Sequence, residues 1–169
     1  MARNPDTTSP STPARESRLW RLVLDGFLKS APKPLMRTIR SRNPKAPIEE
    51  FVFVGRRTGL ERRMLLGLFE VDGQWYAGHP NGTSQWIRNL IAEGGCTVIR
   101  RDGIPVRVTA SEVTDPEERE AIIEATGTQP APAGQIYRGA RQHIRAAGRY
   151  FRLTPIANPG SRAAPTEQP

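Results

Sequence analysis

Apolar residues recur at intervals of three and four between Glu16 and Leu28, which predicts a short amphipathic helix. The apolar positions are Leu19, Trp20, Val23, Leu24, Phe27 and Leu28. Arginine and lysine occupy several of the polar positions. Two interpretations stay open: the helix packs on the core or on a partner subunit, or it lies as a basic interfacial helix on an anionic membrane.

Short apolar runs bounded by turn residues predict strands in the middle of the chain and one near its end. Asp72-Gly73 and Asp102-Gly103 each separate two of these runs, and an Asp-Gly pair in that position predicts a hairpin. The predicted strands cover residues 49–54, 63–71, 74–77, 96–101, 104–113 and 149–153. Hairpin connections of this kind favour an antiparallel sheet over a parallel one.

Capping residues predict where the helices between these strands begin and end. Thr83 or Ser84 can cap a helix that Gly94 ends, and Asp115 followed by Pro116 is a strong start for another. The predicted helices cover residues 86–92, 116–125 and, with a weaker signal, 135–146. A loop with two prolines, residues 127–134, separates the last two.

These elements predict an α+β fold that is mainly β. We expect a small antiparallel barrel or strongly coiled sheet of about six mostly antiparallel strands, with helices on its flanks. A chain of 169 residues fits one such domain, expected over residues 48–154. Residues 15–47 would hold the basic helix and a proline-rich linker, and residues 1–14 and 155–169 are predicted to be disordered tails.

The net charge of +8 is unevenly distributed. Residues 1–45 contain ten Lys or Arg and three Asp or Glu, a balance of +7, whereas residues 46–169 contain fifteen and fourteen, a balance of +1. A nucleic-acid-binding domain needs a basic face on the fold itself. The nearly neutral domain therefore argues against a nucleic-acid partner.

The remaining composition limits the chemistry and the location of the chain. Cys96 is the single cysteine and lies in an apolar run, so we expect a buried, unreactive thiol and neither a disulfide nor a multi-cysteine zinc site. The sequence has no apolar segment of membrane-spanning length and no apolar signal core. A cytoplasmic location is therefore expected, with the inner face of the cell membrane as the surface on which the basic helix would rest.

The segment GRRTGLER, residues 55–62, is the main candidate for a binding site, and we call it the anion loop. Its three arginines, Arg56, Arg57 and Arg62, accompany two glycines directly after an apolar run. Glycine lets backbone N–H groups approach a ligand closely, and guanidinium groups bind phosphate and carboxylate with two hydrogen bonds. The loop therefore predicts a phosphorylated or polycarboxylate ligand, although a solvated hairpin loop has the same composition.

The order of motifs resembles the deazaflavin-dependent nitroreductase family. The similarity covers about residues 51–153 and depends on GRRTGLER after a strand, an Asp-Gly hairpin, and Trp86 with Asn89-Leu90 in the pattern W-x-x-N-L. Members of that family are split β-barrels in the flavin and deazaflavin oxidoreductase superfamily, and they use coenzyme F420. The resemblance thus implies a split β-barrel that binds a deazaflavin.

The resemblance also implies roles for particular residues. The phosphate and glutamate tail of coenzyme F420 would be held by Arg56, Arg57, Thr58, Gly59 and Arg62. Met64, Leu65 and Leu66 would line the deazaflavin ring, and the pocket would be closed by His79, Pro80, Asn81, Gly82 and Trp86. Tyr137 would contact the substrate. Leu65, Leu66 and Gly67 differ from the usual proline or aromatic residue near the ring.

The function implied is a reductase that transfers a hydride from the reduced deazaflavin to a small hydrophobic acceptor such as a quinone, an enone or a nitroaromatic compound. The sequence contains no paired carboxylates, catalytic triad, metal-binding histidine spacing or P-loop, which fits chemistry supplied by a cofactor. Two alternatives stay open: a protein that binds FMN or haem on the same split barrel, and a non-catalytic membrane-associated module. The oligomeric state is also open, with a homodimer paired through a sheet face as one arrangement.

Overall fold

A computed structural model describes residues 12–30 and 33–156, which form six helices and seven strands. The helices are α1 (Thr12–Ser30), α2 (Lys33–Arg42), α3 (Gln85–Glu93), α4 (Pro116–Gly127), α5 (Ala133–Gly139) and α6 (Arg141–Ala147). The strands are β1 (Ile48–Val54), β2 (Glu61–Gly67), β3 (Phe69–Val71), β4 (Gln74–His79), β5 (Gly95–Ile99), β6 (Pro105–Glu112) and β7 (Arg149–Pro155). The α+β class is confirmed. The helices nevertheless contain more residues than the strands, so the expectation of a mainly β protein was wrong.

The strands form one curled antiparallel sheet in the order β2-β1-β5-β6-β7-β4-β3. The sheet curls far enough to bring β2, at one edge, close to β4 near the other edge. The result is a half-barrel. Its first strand β1 ends directly at the anion loop, and β2 begins as that loop ends.

The described sheet has seven strands instead of about six because the predicted strand over residues 63–71 is two strands. The backbone leaves the β1 ladder at Leu68, whose N–H donates to the carbonyl of Pro47 at 2.8 Å. A side chain at Gly67 would meet the ring of Phe69 at 2.9 Å, so glycine permits the bend. The segment thereby crosses from one edge of the sheet, beside β1, to the other, beside β4.

Two helical predictions also need correction. The predicted linker before β1 contains helix α2, in which Pro34 is the second residue. Proline is tolerated there because the first turn of a helix has no internal partner for its N–H groups. The single helix predicted over residues 135–146 is two short helices, α5 and α6, that meet at the fully buried Ala140.

Several local signals were interpreted correctly. Ser84 accepts a hydrogen bond from the N–H of Ile87 at the start of α3, and Asp115 accepts one from Glu118 at the start of α4. Asp72 and Gly73 both have positive φ, as a type I′ turn requires. The turn at Asp102-Gly103 is longer than predicted, because the strands beside it end at Ile99 and begin again at Pro105.

Two clusters of buried side chains stabilise the fold. The first lies between the sheet and α3 and includes Phe51, Phe53, Trp86, Leu90, Val98 and Phe151. The second joins β3, β4 and β7 to the helices α1, α4 and α6, and it includes Leu24, Phe69, Tyr76, Ile122, Ile144 and Tyr150. Because Leu24 of α1 is fully buried there, the predicted N-terminal helix is part of the fold.

The predicted tails lie mostly outside the described residues. Residues 12–14 of the first predicted tail already belong to α1, and Pro155 of the second ends β7. Among residues 12–30 and 33–156, no helix is long and apolar enough to cross a membrane.

Candidate functional site

The anion loop is a tight turn closed by its own backbone. The N–H of Gly55 donates to the carbonyl of Leu60 at 2.9 Å, and the carbonyl of Gly55 accepts from Thr58 at 3.0 Å and from Gly59 at 2.7 Å. The Thr58 hydroxyl also accepts from the N–H of Leu60 at 3.4 Å. These bonds fix the loop at the end of the β1–β2 hairpin and leave its arginine side chains on the surface.

Both glycines of the loop are required by its geometry, for different reasons. Gly59 has a φ of +66°, a left-handed conformation that other residues adopt only with strain. A Cβ at the buried Gly55 would lie 2.9 Å from the hydroxyl of Thr58 and 3.2 Å from the carbonyl of Leu60. Close packing therefore requires glycine at position 55, and the backbone conformation requires glycine at position 59.

Arg56 is held in place by helix α3. Its guanidinium donates to Gln85 Oε1 and to Asn89 Oδ1, both at 3.1 Å, and its backbone N–H donates to the same Asn89 oxygen at 3.4 Å. Asn89 is buried whereas Arg56 is exposed. None of these partners carries a negative charge, so the positive charge of Arg56 stays available to a ligand.

A cleft of about 430 Å³ lies between the anion loop, the β1–β2 hairpin and the first turns of α3. Its lining consists of Phe53, Gly55, Arg56, Arg57, Thr58, Arg62, Arg63, Met64, Gln85, Trp86 and Asn89. The volume is within the range of small-molecule sites, which is roughly 300 to 1,000 Å³. Four of these residues are arginines, and none is acidic.

The arginines of the cleft differ in how far their charge is already compensated. Arg63 forms ion pairs with Glu50 at 3.8 Å and with Glu61 at 3.4 Å. Within the described part of the chain, neither Arg57 nor Arg62 has a hydrogen-bond or ion-pair partner for its side chain. Together with Arg56, they form an uncompensated positive region, which predicts that an anion binds there.

Part of the cleft lining is apolar. Phe53 and Met64 face the same side of the β1–β2 ladder, and Trp86 packs against Phe53 with ring centroids 5.9 Å apart. Trp86 is mostly buried, so it presents only part of its surface to the cleft. A ligand that matches this cleft combines anionic groups with a surface that can pack on apolar side chains.

Six residues predicted to bind the cofactor line the cleft, and Gly59 shapes the loop beside it. The six are Arg56, Arg57, Thr58, Arg62, Met64 and Trp86. Leu65 and Leu66 do not line it. Leu65 lies on the opposite face of β2 because side chains alternate along a strand, whereas Leu66 lies farther along on the Met64 face and packs into the first core cluster. As cofactor contacts, the six residues in the cleft stay predictions.

The predicted pocket-closing segment, His79, Pro80, Asn81 and Gly82, lies outside the cleft lining and packs against α1 and α6. The side-chain nitrogen of Asn81 donates to Asp25 Oδ1 at 2.5 Å and to the carbonyl of Arg21 at 3.3 Å. Its oxygen therefore accepts from His143 Nε2, at 2.8 Å. A Cβ at Gly82 would lie 2.2 Å from the carbonyl of Ala147, which shows how tightly this turn fits α6.

The two histidines of the chain both belong to this region. Asn81 fixes the proton of His143 on Nε2, so Nδ1 accepts from the hydroxyl of Ser17 on α1 at 3.1 Å. His79 accepts from the N–H of Asn81 at 3.2 Å, and its ring lies 6.5 Å from that of Trp86. Burial lowers the pKa of both histidines, and the charge of Asp25 opposes that change.

Tyr137 and Cys96 also lie away from the cleft lining. Tyr137, the predicted substrate contact, packs on α5 against the second core cluster, and burial raises its pKa to about 12. The raised pKa keeps the Tyr137 hydroxyl protonated. Because Tyr137 packs against the second core cluster, it is not positioned to act in the cleft. Burial raises the pKa of Cys96 to about 12 as well, in agreement with the expected unreactive thiol.

Five cleft residues were missed by the sequence predictions: Phe53, Gly55, Arg63, Gln85 and Asn89. The sequence contains two signals, strand alternation and helical spacing, that could have identified three of these residues. The alternation of β1 places Phe53 on the face of its partner Arg62, and the helical spacing of four places Gln85 and Asn89 on one side of α3. No sequence signal indicated that this side of α3 would face the anion loop.

No family model matches the chain, and no curated protein matches its sequence. Its fold is similar to that of several solved structures. An F420-H2 dependent reductase, FDR-A, is 22% identical, with a TM-score of 0.47 over 63% of this chain and 93% of that one. A putative pyridoxamine 5'-phosphate oxidase from Listeria innocua is 10% identical, with a TM-score of 0.48 over 73% of this chain and 94% of that one.

The haem storage protein HutZ from Vibrio cholerae is likewise similar, at 12% identity and a TM-score of 0.48 over 72% of this chain and 90% of that one. These three proteins are named for different functions. Identities and scores this low carry no functional argument, so the function of this chain has to be argued from its own residues.

Proposed function

We propose that this protein binds coenzyme F420 in the cleft beside the anion loop and acts as a reductase on a small hydrophobic acceptor. The observation that carries the proposal is the uncompensated charge of Arg56, Arg57 and Arg62 in a cleft that is also lined by Phe53, Met64 and Trp86. Coenzyme F420 has a planar aromatic ring system and a tail with a phosphodiester and several carboxylates. The apolar side chains of the cleft suit the faces of the ring, and its arginines suit the tail.

The anionic tail of coenzyme F420 would be bound by hydrogen-bond donors of the protein. Arg57 and Arg62 each present a planar guanidinium that has no partner among the described residues, and Arg56 is oriented by neutral amides. A tail with more than one anionic group suits several separated guanidinium groups better than a single phosphate does. The start of α3, whose first turn contains no acidic residue, adds a favourable partial positive charge.

The protein would contribute orientation and exclusion of water. A reduced deazaflavin supplies a hydride when it is bound. The apolar residues of the cleft would pack against an aromatic ring and displace water from it, and the arginines would anchor the anionic tail. Among the described residues, those that line the cleft include no Asp, Glu, His, Cys or Tyr, and we propose that the product takes its proton from solvent.

FMN is the closer rival, because it also joins a planar ring to an anion. It has one phosphate, which would use fewer of the three arginines. Haem is a weaker rival because both histidines of the chain, His79 and His143, are engaged with Asn81 in the described structure and do not line the cleft. A haem ligand from a histidine would require this region to rearrange.

A binding experiment tests the proposal. The purified full chain is titrated with coenzyme F420, with the deazaflavin ring lacking its phosphate and glutamates, and with FMN. We expect coenzyme F420 to bind most tightly and the ring alone to bind far more weakly. Equal affinity for the ring alone would contradict the role of the anion loop, and tighter binding of FMN would identify a flavin protein instead.

Turnover is tested separately from binding. Reduced coenzyme F420 is mixed with the protein and with a quinone, an enone or a nitroaromatic compound, and oxidation of the deazaflavin is followed by absorbance. Acceleration over the protein-free reaction with at least one acceptor class would support a reductase. Tight binding without acceleration for any class would support a non-catalytic carrier.

A further inference from the structure

Strand β2 lies at one edge of the sheet, so one side of its backbone is not paired with another strand of the described chain. Its other side pairs with β1 in a register that continues without interruption from Val54 with Glu61 to Ile48 with Gly67. Along an antiparallel strand, the N–H and C=O of successive residues point alternately toward the partner strand and away from it. Every second residue of β2 therefore directs both backbone groups to the unpaired edge.

Two hydrogen bonds at the ends of this ladder show which residues these are. The N–H of Gly55 donates to the carbonyl of Leu60 at 2.9 Å, and the N–H of Leu68 donates to the carbonyl of Pro47 at 2.8 Å. Leu60 and Leu68 thus point their backbone groups toward β1, and so do the even-numbered residues between them, because the register is constant. The residues of β2 whose N–H and C=O point to the unpaired edge are Glu61, Arg63, Leu65 and Gly67.

Arg63 is the member of this set that lines the cleft. Its side chain lies on the face of the sheet that holds Glu50 and Glu61, with which it forms ion pairs, whereas Arg62 and Met64 point to the other face. Since all three consecutive residues line the cleft, the cleft follows the edge of the strand and includes the backbone of Arg63. Within the described chain, neither the N–H nor the carbonyl of Arg63 has a hydrogen-bond partner.

The backbone of an extended residue presents a hydrogen-bond donor beside an acceptor, both pointing in the same direction. The complementary group has an acceptor beside a donor in one plane, which is the arrangement of C=O and N–H in a cyclic imide. The pyrimidinedione part of a deazaflavin or flavin ring has such an edge. A ligand without it would cover the two backbone groups of Arg63 and leave them unpaired, which costs free energy.

We propose that the backbone of Arg63 recognises the imide edge of the ring: its N–H donates to a ring carbonyl, and its carbonyl accepts from the ring N–H. This recognition rests on the proposed function, since it requires a planar ring in the cleft. The apolar side chains of Phe53, Met64 and Trp86 contact the faces of a ring and do not distinguish one aromatic ring from another. The edge of β2 supplies that distinction through hydrogen bonds.

Methylation of the imide nitrogen of the ligand tests the proposal with the unmodified chain. Calorimetric titration compares coenzyme F420 with its N3-methyl derivative. We expect the derivative to bind about tenfold more weakly or worse, because it lacks the donor and its methyl group holds the ring away from the strand. Equal affinity for the two compounds would overturn the proposal.

A proline substitution tests the same contact from the side of the protein. Arg63→Pro removes a backbone N–H that the ladder with β1 does not use, and proline occurs at such positions of edge strands. Arg63→Ala is the reference, because it removes the same side chain and keeps the N–H. Arg63→Pro should bind coenzyme F420 about tenfold more weakly than Arg63→Ala does, whereas the two should bind the N3-methyl derivative equally. Equal affinity of the two folded variants for coenzyme F420 would overturn the proposal.

These titrations distinguish a failure of this recognition from a failure of the proposed function. A chain that binds coenzyme F420 and its N3-methyl derivative equally keeps the proposed cofactor and excludes the role of Arg63. A chain that binds FMN instead has a different cofactor, and weaker binding of N3-methyl FMN would then support the role of Arg63. Binding of neither coenzyme F420 nor FMN would overturn both proposals.

Discussion

The side-chain oxygen of Asn89 accepts two hydrogen bonds from Arg56, one from the guanidinium at 3.1 Å and one from the backbone N–H at 3.4 Å. Asn89 is buried in α3, whereas Arg56 is exposed in the anion loop. This pair joins the helix to the loop and sets the direction of one arginine in the cleft. The direction of Arg56 in the positive region therefore depends on a neutral side chain.

Substitutions at Asn89 should separate orientation from charge. We expect Asn89→Ala to weaken binding of coenzyme F420 by about tenfold, because Arg56 loses two partners and has to be ordered by the ligand. Asn89→Asp should weaken binding more, since a carboxylate at this position would pair with Arg56 and cancel its charge. Isothermal titration calorimetry measures both effects. Binding by Asn89→Asp that equals or exceeds that of Asn89→Ala would show that the charge of Arg56 is not used.

The close packing of Gly55 makes a second prediction. Gly55→Ala should lower both the free energy of unfolding and the affinity for coenzyme F420, because its Cβ would lie 2.9 Å from the Thr58 hydroxyl. Adding Thr58→Ala should recover part of the lost stability by making room for the new methyl group. Gly59→Ala is the matched comparison, since its cost of roughly 1 kcal/mol arises from its positive φ and should not respond to Thr58→Ala. Urea unfolding of the unmodified chain, of the three single variants including Thr58→Ala, and of the two double variants forms the required pair of cycles.

The two faces of α1 should respond differently to the same substitution. Leu24→Ala removes a fully buried side chain and should lower the free energy of unfolding by about 2 to 4 kcal/mol. Leu22→Ala removes a side chain that is 70% exposed and should change it by less than about 0.5 kcal/mol. Thermal or urea unfolding of the two variants measures both changes. Equal effects would mean that α1 docks through a different face.

The ion pairs between α4 and α6 predict a dependence of stability on pH. Hydrogen bonds from Arg145 and then from Arg141 lower the pKa of Glu120 from 4.5 to about 2. A lowered folded-state pKa contributes stability that is present above about pH 4.5 and is lost as the pH falls toward 2. Glu120→Gln should therefore reduce the free energy of unfolding at neutral pH, by no more than about 1 kcal/mol because the pairs are near the surface. The difference in the free energy of unfolding between Glu120→Gln and the unmodified chain should vanish near pH 2.

Local signals were sufficient for much of the fold. Caps such as Ser84 and Asp115 and the positive φ values at Asp72-Gly73 depend on neighbouring residues only, and the structure has them where the sequence predicts them. The break at Leu68 could not be predicted in this way. It follows the last pair of the β1–β2 ladder, Ile48 with Gly67, whose members are distant in sequence and become neighbours only once the sheet has formed.

The same distinction between local and long-range signals holds for the candidate site. Arg56, Arg57 and Arg62 could be recognised from composition and spacing, and all three line the cleft. The orientation of Arg56 by Asn89 joins residues 33 positions apart, so spacing alone could not reveal it. Asn81 shows the opposite error: the resemblance placed it near a ligand, whereas its hydrogen bonds attach α1 and α6 to the sheet.

The central claim is that the free charge of Arg57 and Arg62 holds an anionic tail, and calorimetric titration with coenzyme F420 tests it most directly. The unmodified chain should bind with a dissociation constant in the micromolar range or below, and binding should weaken as salt is added. Arg57→Ala/Arg62→Ala should weaken binding by about a hundredfold, since each lost bond to a charged group is worth roughly 1.5 kcal/mol or more. Arg88→Ala, which removes an exposed arginine of α3 outside the cleft lining, should leave the affinity unchanged. Equal affinity of the double variant and the unmodified chain would contradict the account.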